Sequence, residues 1–190
     1  MHDEKHSELK IISLRFMACE AEYGQAGTIL FGAPWDGTVS FRPGSRFGPA
    51  AMRQASPCLE TYSPYQEREL PDDKVCDLGD LELPMGGRTR SLELIGETVR
   101  RILSDGKKPV MLGGEHLVTL PAVAACHERW PDLCVLHFDA HADLRPEYLG
   151  EELSHATVMR RIWDLLGDGR IYQFGIRSGT AGEFSFARDG

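Results

Sequence analysis

Along the chain, short apolar runs alternate with longer segments in which apolar residues recur every three or four positions. The runs at Thr28 to Gly32, Lys74 to Leu78, Pro109 to Leu112, Leu133 to Phe138 and Ile171 to Ile176 predict strands. The segments near Pro49 to Ala55, Ser91 to Leu103, Leu117 to Glu128 and His155 to Leu166 predict helices. Several of the strands are continuously apolar, as strands covered on both faces are. The alternation of strand, loop and helix predicts an α/β sandwich with a mainly parallel sheet. Ser91 offers N-cap chemistry at the start of its helix, and Asp105-Gly106 offers the small turn-forming residues that close one. There is no internal repeat and no linker rich in Pro, Gly or Ser, so residues 1–190 read as a single domain.

One apolar run ends unusually. Leu133-Cys-Val-Leu-His-Phe-Asp-Ala-His-Ala-Asp-Leu-Arg145 finishes in acid, imidazole and acid at alternating positions, separated by small Ala140 and Ala142. In extended backbone, alternate residues point to the same side, so Asp139, His141 and Asp143 can converge on one point. Carboxylates gathered there are costly without a counter-charge, and a divalent cation supplies it. His116 follows Gly113-Gly114 at the carboxyl end of another predicted strand, where the glycines allow a sharp turn. Ligands of open α/β sheets bind at such ends, which places His116 in the same crevice as a fourth ligand. Two His and two Asp mix nitrogen with hard oxygen, a set suited to Mn2+, Co2+, Fe2+ or Zn2+, with manganese favoured as carboxylates increase. A carboxylate between two His can bridge two ions, and two-metal sites activate water for hydrolysis. The sequence offers no G-x-S-x-G elbow, no G-x-G-x-x-G and no catalytic cysteine pattern as a rival.

Three other features stay open on the residues alone. The glycine-rich, aromatic stretch from Gly32 to Pro49 either lines a substrate entrance or packs as an irregular loop whose Arg42 and Arg46 tie down carboxylates. Asp77 and Asp80 follow a strand but lack period-two spacing, so a turn or hydrogen-bonding role is preferred over ligation. His155 begins the helix beyond the acidic cluster. An imidazole there could relay a proton to a leaving amine, or it could simply sit at a helix start.

The net charge of -8 argues against nucleic-acid or anionic-membrane partners, since phosphate binding needs clustered Lys and Arg. No apolar run approaches a membrane span, and Met1-His-Asp-Glu-Lys-His-Ser-Glu8 is polar rather than signal-like, which reads as a cytoplasmic protein. The cysteines are odd in number and none forms a C-x-x-C pair; Cys76 and Cys134 lie in apolar runs and read as small core residues.

Gly113-Gly-Glu-His116, His137-Phe-Asp-Ala-His-Ala-Asp-Leu-Arg145 and Ser154-His-Ala-Thr157 resemble successive signatures of the ureohydrolase (arginase/agmatinase) family. Ser40-Phe-Arg-Pro-Gly-Ser-Arg-Phe-Gly-Pro49 and Gly175-Ile-Arg-Ser-Gly179 resemble its agmatinase branch. The resemblance implies a three-layer α/β/α arginase-like fold and two manganese ions, with His116, Asp139 and Asp143 on one, His141 on the other, and Asp139 bridging. It implies that His155 shuttles protons or orients substrate, that the substrate is a small guanidinium compound, and that the protein is a homo-oligomer. The implied reaction is hydrolysis to urea and an amine, agmatine giving putrescine in polyamine biosynthesis.

The family also has a later S-x-D-x-D segment completing both metal shells, and a glutamate that meets the guanidinium. Neither follows Asp143 in this chain, so the expectation is an N-terminal portion of a longer protein, inactive alone. Guanidinobutyrate or formimidoylglutamate are alternative substrates, and a catalytically silent metal-binding module is the reading from a different class.

Overall fold

The computed structural model describes residues 14–70 and 74–189, so the polar stretch from Met1 to Glu8 lies outside the described residues. In chain order the elements are β1 (Thr28–Ala33), α1 (Gly48–Ala55), a small hairpin of β2 (Tyr62–Ser63) and β3 (Arg68–Glu69), β4 (Val75–Asp80), α2 (Arg88–Ser104), β5 (Lys108–Gly113), α3 (Thr119–Arg129), β6 (Val135–Phe138), α4 (Val158–Leu166), β7 (Ile171–Phe174) and α5 (Ala181–Asp189). Each apolar run predicted as a strand is one, to within a residue or two, and all four predicted helices form. The small hairpin has no counterpart among the predicted elements: its strands are two residues each and largely exposed, so no periodicity marks them.

The longer strands pair only in parallel. One sheet has the order β4-β1-β5 and a second pairs β6 with β7. Parallel strands need crossover connections: α2 carries the chain from β4 past β1 to β5, and α4 links the neighbours β6 and β7. On one face of β1, Ile29 and Phe31 pack against Val99 and Ile102 of α2 and Ala125 of α3. Ala33 leads into a second cluster with Ile95, Leu117, Val118 and the α4 residues Val158, Met159 and Ile162. Phe31 and Ile29 are fully buried, each stabilising the fold by about 1.5–3 kcal/mol. The opposite face of β1 is covered by α1, whose Pro49 sits over Gly32.

Covering on both faces, expected from the apolar runs, therefore holds for β1 but not for β6 and β7. Val135 and Ile171 pack inward beneath α4, whereas Leu136, Phe138, Tyr172 and Phe174 are exposed on the outer face. Among the described residues no helix lies over them.

Two local expectations are corrected. Ser91 is not an N-cap: α2 starts at Arg88 with Gly87 before it, and Ser91 lies fully buried in the first turn with its hydroxyl facing the Pro84 carbonyl. Cys134 is exposed because β6 begins one residue later, while Cys76 is buried as expected; all five cysteines are free. The other end of α2 follows the sequence, with Gly106 at a φ of 72° and the amides of Gly106 and Lys107 returning to Leu103 and Ile102. Asp77 and Asp80 take the hydrogen-bonding role preferred for them. Arg53 of α1 donates to both Asp77 oxygens at 2.7 and 2.9 Å and also reaches Asp80.

Candidate metal centre

The carboxyl end of β5 meets the loop that follows β1. Gly114 donates to the Ala33 carbonyl at 3.0 Å and Glu115 to the Trp35 carbonyl at 2.8 Å. A Cβ at Gly114 would overlap the Trp35 backbone, which is why the turn carries glycine there. The turn delivers His116 to the mouth of the sheet at the start of a short 3-10 segment, His116–Val118.

Strand β6 ends at Phe138, so Asp139, His141 and Asp143 do not continue as an extended strand. The loop after β7 holds them instead. Asp139 N donates to the Phe174 carbonyl at 3.1 Å, Ala142 N to Ser178 at 3.1 Å, and the amides of Arg177 and Ser178 return to Ala140. Asp143 turns into the left-handed region at φ 52°, a conformation Asp tolerates better than most residues. Its carbonyl then accepts from Met159 and Arg160 at the start of α4.

This folding draws His116, His137, Asp139 and Asp143 together, each with a ligating atom within 4.8 Å of the others. His116 Nδ1 lies 2.7 Å from Asp143 Oδ2 and 3.9 Å from Asp139 Oδ2. His141 stands outside this tight group, at the rim: its side chain is 65% exposed, with Nδ1 3.5 Å from Asp139 Oδ1 and its amide donating to the same oxygen at 2.9 Å. His137, which the sequence reading passed over, stands inside it. The signal was present, because His137 continues the 139, 141, 143 alternation one step back into the strand.

Burial pushes the Asp139 carboxyl upward, but the amides of His141 and Ala140 and the neighbouring His116 imidazole outweigh it and hold Asp139 below the usual carboxylate range. Burial, reinforced by His116, pushes the His137 imidazole down, toward its neutral form. Among the described residues, no Lys or Arg pairs with Asp139 or Asp143. The two carboxylates and the His116 imidazole, with no cationic side chain between them, form a donor set that fits a divalent cation of the manganese or zinc type.

His116, Asp139, His141 and Asp143 line a cleft of about 610 Å³ whose other walls include Ser40, Phe41, Arg145, Tyr148, His155, Ser178 and Glu183. The loop after β1 thus lines the cleft and also packs, although of its two arginines only Arg46 meets a carboxylate among the described residues. Arg46 anchors Asp36 at 2.6 Å, while Phe41 faces the cleft with Arg42 stacked over its ring. His155 reaches the cleft beside Tyr148, ring edge to ring face, and its Nδ1 is 3.6 Å from the buried carboxylate of Glu115. Burial pushes the Glu115 carboxyl up, opposed by its hydrogen bonds from Thr38 and by His155. Glu183 is equally buried: it accepts from Leu144 N at 3.0 Å and from Thr180 N at 2.7 Å, while Thr180 Oγ1 accepts from Glu183 N at 3.3 Å. This capping box ties α5 to the acidic loop. A second cleft of 690 Å³, between Trp35, Met85 and Arg88, has no histidine in its lining.

The sequence model of the Arginase family matches residues 26–190. The chain is 50% identical over 174 residues to the agmatinase of Bacillus subtilis, covering 92% of this chain and 60% of that protein. It is 33% identical to the guanidinobutyrase of Pseudomonas aeruginosa over 88% of this chain and 54% of that one. The crystal structure of the agmatine ureohydrolase of Thermoplasma volcanium superposes with a TM-score of 0.83 at 38% identity, over 92% of this chain and 58% of that chain. The chain therefore spans about 60% of the length of the agmatinase it matches.

Proposed function

The chain belongs to the arginase family, and on that premise we propose that the whole protein is a manganese-dependent ureohydrolase that converts agmatine to putrescine and urea. In this reading His116, Asp139 and Asp143 would hold one cation and His141 a second, with Asp139 shared between the two. Two cations need more donors than these four side chains offer, so further ligands complete the shells. When bound, the cations supply Lewis-acid activation of a water molecule.

The rest of the work falls to the protein's own groups. Water adds to the guanidinium carbon and the bond from that carbon to the alkyl-bearing nitrogen breaks. The departing nitrogen needs a proton, and in this reading His155, which lines the same cleft, delivers one released by the attacking water.

The observation that carries the reading is the gathering of His116, Asp139 and Asp143 at the carboxyl ends of two parallel strands, with His155 in the same cleft. Agmatine is preferred over guanidinobutyrate because the identity to an agmatinase is 50% and to a guanidinobutyrase 33%. A urea-release assay of the Mn2+-loaded whole protein across agmatine, guanidinobutyrate and formimidoylglutamate tests it. Turnover of agmatine alone is expected; turnover of guanidinobutyrate with none of agmatine overturns the substrate, and no urea from any of them overturns the reaction.

A further inference from the structure

His137 sits within the metal-ligating group, yet its surroundings assign it a different task. Strands β6 and β7 place it in register with Gln173. The Gln173 side-chain nitrogen lies 2.9 Å from His137 Nδ1 and also 2.9 Å from the Ala142 carbonyl oxygen. A carbonyl oxygen only accepts, so the amide presents its NH2 end to both partners. Nδ1 therefore receives a hydrogen bond and carries no proton. A neutral imidazole has a single N–H, which must then be on Nε2. A nitrogen bearing a proton has no lone pair for a cation.

That Nε2–H is buried in a side chain only 6% exposed, and it has no hydrogen-bond partner at normal length. Asp139 Oδ2 lies 3.5 Å away. The ring cannot swing elsewhere, because its other nitrogen is held by Gln173 and its face stacks on His116 with centroids 5.1 Å apart.

We propose that His137 is a positioning residue whose Nε2–H, fixed by Gln173, donates to the Asp139 carboxylate and sets its orientation for cation binding. The proposal rests on the reading of Asp139 as a metal ligand. A small rotation of the carboxylate shortens the 3.5 Å separation to a hydrogen bond; the His141 amide already holds the other oxygen at 2.9 Å, and each oxygen, with two lone pairs, keeps one for a cation. Groups that orient ligands in this way are commonly worth about 10–100-fold in metal affinity.

Two measurements decide it. In the metal-free protein labelled with 15N-histidine, long-range 1H–15N correlations should show His137 with Nδ1 unprotonated and Nε2 protonated. Gln173→Leu should weaken that preference, and a parent protein carrying the proton on Nδ1 overturns the proposal. Mn2+ titration followed by the free-ion paramagnetic resonance signal should then show His137→Phe, which keeps the bulk, binding about 10–100-fold more weakly. His137→Gln, which retains an N–H donor at a similar reach, should stay within a few-fold of the parent, with circular dichroism confirming that both variants fold. Equal affinity in all three proteins overturns the proposal, as does a loss in His137→Gln as large as in His137→Phe. A parent that binds no Mn2+ at all overturns the metal centre itself, whereas a wrong tautomer overturns only the role of His137.

Discussion

Thr38 Oγ1 lies 2.6 Å from Glu115 Oε2 and accepts a hydrogen bond from the His155 amide at 3.1 Å. The Thr38 amide also donates to Glu115 Oε1 at 2.9 Å. The pair thus ties together the loop after β1, the turn after β5 and the segment leading into α4. With its own proton directed at the carboxylate, the Thr38 hydroxyl can only accept from the His155 Nδ1 facing it at 3.4 Å. That arrangement places the His155 ring proton on Nδ1 and leaves Nε2 available for proton exchange.

Thr38→Val removes the hydroxyl and keeps the shape. Turnover should fall about 10–100-fold through loss of ring orientation, with bound Mn2+ and KM little changed. Thr38→Ser should restore most of the loss. His155→Ala should cost about 100–10,000-fold, the usual span for a proton-transfer group. The check is kcat and KM for agmatine together with metal content; wild-type turnover in Thr38→Val would reduce the contact to packing.

Asp139→Ala should abolish two-metal loading in the whole protein, because it removes the group placed between two cations and leaves them facing each other unshielded. His116→Ala should mainly weaken one site, and His141→Ala, at the exposed rim, the other. Elemental analysis after dialysis against Mn2+ distinguishes the three. Full occupancy in Asp139→Ala would contradict the ligand assignment.

The Arg53 and Asp77 pair, with side chains 3% and 0% exposed, predicts a stability effect away from the cleft. Arg53→Met leaves a buried carboxylate unpaired and should cost about 3–5 kcal/mol in urea unfolding. Burial raises the Asp77 carboxyl, but Arg53 and the amides of Phe16 and Gly79 outweigh it and hold its folded pKa below normal. A depressed folded pKa gives stability that is complete above the unfolded value of about 3.9 and is lost as pH falls through the folded value. Without Arg53 that depression shrinks, so the acid-unfolding midpoint of Arg53→Met should move to higher pH. An unchanged acid midpoint would show that the amides alone hold Asp77 down.

Much of the fold and part of the site could be read from the sequence, and the reasons differ by residue. The strands were legible because buried parallel strands are continuous apolar runs, and the place of His116 followed from a glycine turn at a strand's carboxyl end. The detail of the acidic loop was not. Period-two reasoning assumed extended backbone through Asp143, whereas β6 stops at Phe138 and Asp143 turns left-handed. His141 is accordingly at the rim and His137 at the centre. Thr38, Glu115 and His155 are brought together across 117 residues of sequence by three loops, and no local pattern announces such a contact. The burial of His137 was hidden for another reason: on β6 it is the polar residue that faces inward and the apolar Leu136 and Phe138 that face out.

That inversion carries the last prediction. On the outer face of β6 and β7, Leu136 stands in register with Tyr172 and Phe138 with Phe174, and the two phenyl rings stack with centroids 4.9 Å apart. Leu136 is 62% exposed and Phe138 74%. A contiguous apolar face of this kind is a template for association, and burying each such side chain is worth about 1.5–3 kcal/mol. The 190-residue chain by itself should therefore self-associate in a concentration-dependent way. Leu136→Thr combined with Tyr172→Thr should suppress this: both substitutions introduce a β-branched residue suited to a strand, remove apolar surface and spare Phe138, which adjoins Asp139. Sedimentation velocity over a range of concentrations compares the two proteins. A parent chain that stays a single species at the monomer mass, or a double variant that associates as strongly as its parent, would show that this face does not drive association.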